Sequence, residues 1–227
     1  MNYEIMKESE RGLQQKFLKF CNHVYETWQF VNKIIKSKTP SKNDMNQVLE
    51  MEEMSNHFEA QIQDDGIWSI SKNEPLANHL RYVIAVIKSS NDLERMADYA
   101  VSAVKFFVNN KVIDSIRTLS LNILKSALLT MNKVFISMKT NPAIDTYKIC
   151  EVAHKNFRKE YISNLKTLSS ILKKSTVDEI SNLFQGAIVI IKHIERLVDH
   201  LSNICENFVF IKQSDFFFDK HSKQLDK

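Results

Sequence analysis

Apolar residues recur along the chain in steps of three and four, which is the spacing of one face of an α-helix. In the first half this pattern predicts three helices, over residues 8–36, 42–63 and 75–109. The first stripe consists of Leu13, Phe17, Cys21, Val24, Trp28, Val31 and Ile35. Thr39-Pro40-Ser41 separates the first two helices, because proline interrupts helical hydrogen bonding. Pro75 suits the first turn of the third helix.

The same spacing predicts three further helices in the second half, over residues 112–139, 143–173 and 176–211. Asn141-Pro142 separates the first two of these. The acidic pair Asp178-Glu179 would suit the positive end of the helix dipole in the last one. The predicted lengths therefore run medium, medium and long, twice over. The connections are short, so consecutive helices are expected to lie antiparallel.

The chain contains few residues that build turns, since its 227 residues include three glycines and three prolines. This scarcity favours helices over sheets and elaborate loops. We therefore predict an all-α fold of two pseudo-symmetric three-helix bundles in tandem, with domains over 1–110 and 111–214 and a C-terminal tail over 215–227. Phe216-Phe217-Phe218 in the tail has acidic residues on both sides. We interpret it as a docking segment on the bundle rather than a membrane anchor.

Composition and charge exclude several classes of protein. The formal net charge is +4, and the lysines are spread along the chain, which argues against a nucleic-acid-binding face. The three glycines cannot form a glycine-rich phosphate loop, and no nucleophile–base pattern occurs, so we do not expect an enzyme. Wholly apolar runs such as 187–191 are too short to span a bilayer, and we expect no secretory signal because no charged-then-apolar segment opens the sequence. The three widely spaced cysteines suit a reducing compartment, so we expect a cytoplasmic protein.

A charged motif, Glu-Arg-x-x-Asp, occurs once in each half of the chain. The first copy runs from Glu94 to Asp98 and the second from Glu195 to Asp199, an offset of 101 residues. The first pair of acids continues the apolar stripe Leu80, Ile84, Ile87 and Val101, and the second pair continues the stripe Phe184, Ile188 and Ile191. The acids should therefore point inward or into a groove between helices. Two copies at the same point of two halves indicate internal duplication.

Carboxylates four residues apart on a helix lie about 5–6 Å from one another and repel, more strongly when they are buried. A proton, an arginine or a metal cation would offset this repulsion. Oxygen-rich ligand sets suit Mg²⁺, Mn²⁺ or iron. On the second helix, Glu52, Asn56 and Glu59 could face Glu94 and Asp98 across the bundle. A metal site is therefore one hypothesis, and solvated or arginine-paired acids are the other.

The two motifs resemble the paired E/D-R-x-x-D motifs of the PhoU family, whose usual form is close to E-R-I-G-D-H. The second copy is the nearer match, because a histidine follows its aspartate and Asn203-Ile204-Cys205-Glu206 is similar to the family's N-I-x-E ending. The stretch from Pro75 to Arg81 resembles the P-x-A-x-D-L-R element that opens the family's third helix, with His79 in place of the usual aspartate. The resemblance covers roughly residues 10–215.

The resemblance implies two three-helix bundles, often dimeric, whose acidic motifs in some members hold multinuclear clusters of a divalent metal such as Fe, Mn, Mg or Zn. It also implies a negative regulator of phosphate uptake that is cytoplasmic and peripherally associated with the membrane transporter. Its expected partners are the ATPase subunit of a phosphate ABC transporter, a sensor histidine kinase where one exists, and a second copy in a homodimer. The expected metal ligands are Glu94, Asp98, Glu195, Asp199, Glu52, Glu59 and His154. Arg95, Arg196 and Arg81 are further motif residues.

Besides His79, the departures from the family pattern include two residues on the fifth helix. His154 and Arg158 stand on the fifth helix where the family has acids. His154 could still bind a metal, whereas the cationic Arg158 could not and could instead neutralise Glu195 and Asp199. We therefore expect a stronger metal site in the first half than in the second.

Other polar residues near the motifs have simpler interpretations. Arg95 and Arg196 each follow the first acid by one position and so point about 100° away from it, where they could anchor a neighbouring helix or loop. His200 is expected to be hydrogen-bonded at a seam between helices rather than bound to a metal. Glu151 and His154 form a single ExxH unit, whereas a di-iron bundle requires two, so a solvated face is the simpler interpretation.

Three functions remain open from the sequence. The chain could be a regulatory protein of phosphate uptake, a di-metal carboxylate protein such as an oxidase or an iron store, or a purely structural helical adaptor in which every acid is solvated. We expect the first, because the duplicated motif and the family resemblance both favour it.

Overall fold

The computed structural model describes residues 3–73, 78–173 and 183–211, and these form six α-helices with no β-strand among them. The helices are α1 (Tyr3–Lys36), α2 (Lys42–Asn73), α3 (Asn78–Asn109), α4 (Asp114–Thr140), α5 (Ala143–Leu172) and α6 (Leu183–Phe210). The prediction of an all-α fold is confirmed.

The six helices pack in two groups of three. α1, α2 and α3 contact one another, and so do α4, α5 and α6, which confirms the tandem arrangement of two three-helix bundles. The two groups meet where α3 packs on α6 and α1 packs on α4. One continuous hydrophobic core runs through both groups, and it includes Trp28 of α1, Ile123 of α4 and Leu197 of α6. The domain limits at residues 110 and 214 stay a prediction.

Local side-chain chemistry explains why α2 begins where it does. The backbone N–H of Ser41 donates to Asp44 Oδ2 at 2.7 Å, and the backbone N–H of Asp44 donates to Ser41 Oγ at 3.3 Å. This reciprocal arrangement satisfies donors that the first turn of a helix leaves without partners. The break predicted at Thr39-Pro40-Ser41 therefore coincides with the connection between α1 and α2.

The predicted end of α2 is wrong, because the helix continues ten residues beyond residue 63 to Asn73. Gly66 lies inside this extension, where a Cβ atom would come within 2.6 Å of Ile87 Cδ1 on α3. The glycine therefore allows close packing of two helices instead of ending one. As a result α1, α2 and α3 contain 34, 32 and 32 residues. The prediction of two medium helices followed by a long one is therefore wrong for the first half.

Three predictions concern segments that lie outside the described residues. These are the helix start at Pro75, the acidic first turn at Asp178-Glu179, and the docking of the aromatic tail at Phe216-Phe217-Phe218.

The predicted apolar stripes match the buried faces of some helices better than those of others. All seven residues of the α1 stripe are buried, as predicted. The α3 stripe is displaced: Ile84 and Ile87 are only half-buried on the flank of the helix, while Leu93 and Met96 lie in the centre of the core. The acids that continue this stripe therefore face a groove rather than the interior. Ile188, which was predicted on the apolar stripe of the sixth helix, is exposed.

α4 is long and apolar enough to cross a membrane by the criteria of length and composition. Half of its apolar stretch is buried inside the bundle, where it contacts α1, α5 and α6. Core helices of bundles commonly meet the same criteria, and Ile116, Ile123 and Ala127 of α4 belong to the hydrophobic core.

Candidate functional site

The two copies of the motif lie on the neighbouring helices α3 and α6, and polar side chains beside the motifs join these helices. His200 Nδ1 lies 2.7 Å from Asp92 Oδ1, and both side chains are largely buried. The ring of Tyr99 stacks on the ring of His193 with 4.8 Å between centroids. The Tyr99 hydroxyl also lies 3.4 Å from His200 Nε2. The interpretation of His200 as a hydrogen-bonded residue at a helix seam is confirmed.

These two contacts are counterparts of one another. At the offset of 101 residues between the motifs, Asp92 corresponds to His193 and Tyr99 corresponds to His200. The Asp92–His200 pair therefore maps onto the His193–Tyr99 stack, as expected for two antiparallel helices related by a pseudo-twofold axis. Sequence reasoning missed Asp92, Tyr99 and His193, although comparing the residues that flank each motif at this offset would have aligned them.

The acids of the first motif face α2. We call the following four residues the first acidic cluster: Glu52, Glu59, Glu94 and Asp98. Glu94 is half-buried and Asp98 is exposed at the groove between α2 and α3. The two carboxyl groups stand four residues apart on one face of α3 and act on one another electrostatically. The charges of Glu59 and Glu52 on α2 act on Glu94 and Asp98 of α3, so the acids of the two helices are electrostatic neighbours. That they converge on a metal stays a prediction.

Amide side chains donate hydrogen bonds to the two acids of this cluster that lie on α2. Asn56 Nδ2 donates to Glu52 Oε1 at 2.7 Å. Glu59 Oε1 accepts from Gln63 Nε2 at 2.9 Å and from Asn91 Nδ2 of α3 at 3.1 Å. Neutral amides satisfy the oxygen lone pairs but leave the negative charges uncompensated.

The uncompensated charge changes the acidity of the first acidic cluster. Burial, followed by the nearby charges of Asp98 and Glu59, raises the pKa of Glu94 to about 7. Burial and the charge of Glu52 likewise raise the pKa of Asp98. Arg95 opposes both shifts without cancelling them. The cluster therefore favours binding of a proton or a cation near neutral pH.

Glu195, the first acid of the second motif, is paired with cations instead. The Glu195 side chain is only 7% exposed; its Oε1 lies 3.6 Å from Arg158 Nη1, and its Oε2 contacts Lys192 Nζ. Tyr161 also hydrogen-bonds to Glu195, and burial and the Glu195 charge raise the pKa of this tyrosine to about 12. This geometry supports the interpretation that Arg158 neutralises Glu195.

Asp199 is paired separately, since its Oδ1 lies 3.2 Å from His154 Nε2.

One pair of corresponding positions explains part of the difference between the halves. Lys192 of α6 corresponds to Asn91 of α3 at the 101-residue offset, and each stands three residues before the first acid of its motif. A cation is therefore placed beside the acids in the second half, where the first half has a neutral amide.

The fit to a metal differs between the two clusters. Within the described ranges, no three His, Cys, Asp or Glu side chains are grouped so that they could hold one metal ion. The first acidic cluster nevertheless offers carboxylate oxygens with excess negative charge, which suit a hard cation that keeps several waters as ligands. In the second half, Glu195 already has two cationic partners, and Asp199 lies beside His154. The assignment of Glu94, Asp98, Glu52, Glu59, Glu195, Asp199 and His154 as metal ligands stays a prediction.

The remaining motif residues lie at the edge of these clusters. Arg95 and Arg196 are exposed, and neither forms a hydrogen bond or ion pair within the described part of the chain. The Arg81 guanidinium lies 5.8 Å from the centroid of the Phe210 ring. His79, which replaces the family's aspartate, has its Nδ1 2.6 Å from Glu10 Oε1 on α1.

The chain matches known proteins along most of its length. A family model described as the PhoU domain matches residues 29–106. An uncharacterized protein of Mycoplasma genitalium is 33% identical over 226 residues, which cover 96% of this chain and 98% of that protein. The phosphate-specific transport system accessory protein PhoU homolog of Streptococcus pneumoniae is 24% identical over 212 residues, which cover 89% of this chain and 93% of that protein.

Two solved structures have the same fold. The crystal structure of the phosphate transport system regulatory protein PhoU from Streptococcus pneumoniae matches with a TM-score of 0.77 and 21% identity, over 92% of this chain and 97% of that chain. The crystal structure of PhoU from Pseudomonas aeruginosa matches with a TM-score of 0.79 and 19% identity, over 90% of this chain and 97% of that chain.

Proposed function

The chain belongs to the PhoU family, and from this premise we propose that it is a regulatory accessory protein of phosphate transport. The observation that carries the proposal is that relatives named as phosphate-specific transport accessory proteins match both halves of the chain rather than one shared helix pair. The pseudo-twofold contacts between α3 and α6 support it, because they indicate that both copies of the motif belong to one assembled unit.

The finer proposal is negative regulation through a partner. The chain would bind the ATPase subunit of a phosphate ABC transporter and restrain uptake when phosphate is plentiful. Two similar bundles about a pseudo-twofold axis can meet a dimeric ATPase in matched geometry. Regulation further requires that the chain bind one conformational or ligand state of the transporter more tightly than another.

Co-purification tests this proposal directly. The transporter ATPase should co-purify with the chain in larger amounts from cells grown at high phosphate than from cells grown at low phosphate. Deletion of the chain should raise phosphate uptake at high external phosphate. A strain in which no complex forms at either concentration, and in which deletion leaves uptake unchanged, would refute the regulatory proposal.

We also propose that the first acidic cluster binds a divalent metal more strongly than the second-half acids do. Binding to the native state raises stability by RT ln(1 + [L]/Kd), or about 2.7 kcal/mol at a hundred times Kd. Mn²⁺ or Fe²⁺ should therefore raise the melting temperature, and Asp98→Ala should remove most of that rise.

Two further variants make the metal test specific. Asn91→Lys should also remove the rise, because it places an ammonium group where Lys192 stands beside Glu195 in the second half. Asp199→Ala should leave the rise largely unchanged. If Asp199→Ala had the larger effect, the proposed ranking of the two sites would be reversed.

The remaining proposals concern assembly. We propose a homodimer, peripheral association with the membrane through the transporter, and contact with a sensor histidine kinase where one exists. Light scattering of the purified chain should give twice the mass of 26.5 kDa, and a monomer mass across the working concentration range would refute the dimer.

A further inference from the structure

The outer face of α4 and α5 exposes large apolar side chains around a groove. Leu129 and Ile136 of α4 are 55% and 52% exposed, and Val152 of α5 is 60% exposed. Two adjoining cavities of about 310 and 300 Å³ lie between the helices and share Lys133, Ala153 and Asn156 in their walls. We call this feature the α4–α5 groove; its walls include Leu129, Lys133, Val152, Asn156 and Lys159.

The lining of the α4–α5 groove is basic, and the two helices that form it differ in charge from their counterparts in the first half. α4 and α5 together contain nine lysines and arginines but four aspartates and glutamates, a formal net charge of +5. α1 and α2 contain eight lysines and arginines and eleven aspartates and glutamates, a formal net charge of −3. The two halves therefore share one fold, while the net charge of the first two helices differs in sign between them.

The cations of the groove are available to an external partner. Lys133 and Lys159 form no ion pair within the described parts of the chain, and Lys148 meets only Asp145, at 3.7 Å on an exposed surface. Glu160 is the one acid among the described residues that line the two cavities. Lysines beside exposed apolar side chains are complementary to a surface that presents both carboxylates and apolar groups.

We propose that the α4–α5 groove binds an acidic amphipathic helix of the partner protein through which this chain acts. The inference rests on the proposed function, and it assigns that function to one surface. A groove between two helices accepts the apolar face of a third helix, while the lysines at its rim contact acids on that helix. Asn156 adds a side-chain amide that a helical peptide can engage by hydrogen bonding and that acyl chains cannot.

Charge argues against the other occupants. A second copy of this chain seated on the same face would oppose two basic surfaces, each with Lys133, Lys148 and Lys159 against the single acid Glu160, which costs free energy. An anionic bilayer would satisfy the lysines, but a flat surface would leave the concave floor between the helices unfilled. The acidic partner helix satisfies the charge, the apolar side chains and the concave shape together.

The first test uses a fluorescent 18-residue synthetic peptide with leucines along one helical face and glutamates elsewhere. Wild-type protein should bind it, and Lys133→Glu/Lys159→Glu should weaken binding by about tenfold or more, since both substitutions put like charges against the peptide. Leu129→Gln should weaken binding through lost apolar contact. Lys19→Glu/Lys33→Glu, which changes two exposed α1 lysines, is the matched control and should alter binding less than twofold. Thermal melts verify that each variant is folded.

The second test repeats the comparison with the transporter ATPase in co-purification. Capture by the wild type and the control, with loss in Lys133→Glu/Lys159→Glu, supports the inference. Equal capture of the ATPase by the wild type, the control and Lys133→Glu/Lys159→Glu refutes binding through the groove and leaves the proposed function intact. Peptide binding without capture of the ATPase by the wild type refutes the proposed contact with the ATPase and leaves the groove as a surface for another acidic helix. Failure to bind the peptide, combined with lysine-dependent binding to phosphatidylserine vesicles or lysine-dependent self-association, refutes the inference in favour of a membrane or a second copy.

Discussion

Glu94 and Glu195 occupy the same position in the two copies of one motif, yet their surroundings differ. Glu94 is half-buried among carboxylates, whereas Glu195 is buried between Lys192 and Arg158. Removing a charge from water is costly unless a counter-charge replaces the lost hydration. The second copy therefore serves as part of an ion-pair network, and the first copy carries an excess of negative charge that a proton or a metal can neutralise.

The raised pKa of Glu94 leads to a prediction of pH dependence in the metal-free protein. Its folded-state pKa of about 7 exceeds its ordinary value of 4.5, so the folded state binds the proton more tightly than the unfolded state does. This contribution to stability is fully present below pH 4.5 and is lost as the pH rises through 7. In chelator, Glu94→Gln should match the wild type at pH 4.5 and be more stable at pH 8. Because the group is partly solvated, the gain should be about 1 kcal/mol or less. Chemical denaturation at both pH values measures it.

Metal supplies the control for this prediction. With Mn²⁺ present at pH 8, the wild type should be more stable than Glu94→Gln. The bound metal would neutralise the repulsion in the wild type, whereas the variant would lack a proposed ligand. A Glu94→Gln variant that is less stable than the wild type in chelator at pH 8 would show that neighbouring groups relieve the repulsion by another route.

Sequence reasoning located the acids but not the contacts that join the halves. The offset of 101 residues identified Glu94, Asp98 and their counterparts, because like residues at like spacing are visible in one sequence. The Asp92–His200 pair and the Tyr99–His193 stack join residues of unlike type. Such pairs become apparent only when the antiparallel arrangement of α3 and α6 is known.

At the scale of helices, the apolar spacing predicted α1 well and α2 poorly. α1 has one wide buried face, so its periodicity was unambiguous. The polar run at the predicted end of α2 resembles a turn, but tertiary contacts keep it helical. Lys16 of α1 pairs with Asp65, and Ser9 Oγ donates to Ser69 Oγ at 2.9 Å. These contacts, together with the close approach at Gly66, depend on α1 and α3 and were not available from local sequence.

Close packing of α3 and α6 depends on Gly186, which leads to a stability prediction. A Cβ atom at this position would come within 2.1 Å of the Phe106 ring, so Gly186→Ala forces that ring or one of the helices to move. Overpacking of this kind typically costs about 1–3 kcal/mol. The melting temperature should fall by about 2–4 °C for each kcal/mol in a chain of this size.

Gly12 provides the matched control, since an added Cβ there meets no atom within 4 Å. Gly12→Ala should stabilise the protein by up to about 1 kcal/mol through the higher helix propensity of alanine. If both variants had the same effect, the change would reflect propensity alone and the packing argument for Gly186 would fail.

At the scale of the whole molecule, the two bundles share one interior. The hydrophobic core continues from the first bundle to the second through the contacts of α3 with α6 and of α1 with α4. At the joint between the bundles, the Arg117 guanidinium of α4 also donates from Nη1 to the backbone oxygens of Ile35 and Ser37 at 2.7 and 2.6 Å. Sequence duplication suggested two domains, but these contacts favour one cooperative unit.

Hydrogen exchange tests this cooperativity. If the bundles unfold together, the slowest amides of every helix exchange through the same global opening and report one free energy. Gly186→Ala perturbs only α3 and α6 directly, yet it should lower the protection of the slowest amides in α1 and α2 by the same factor as in α4 and α5. The reason is that a shared core transmits the loss of stability to all six helices. Mass spectrometry of peptides from each helix measures the effect. Loss of protection confined to α4, α5 and α6 would instead establish two independent domains divided near residue 110.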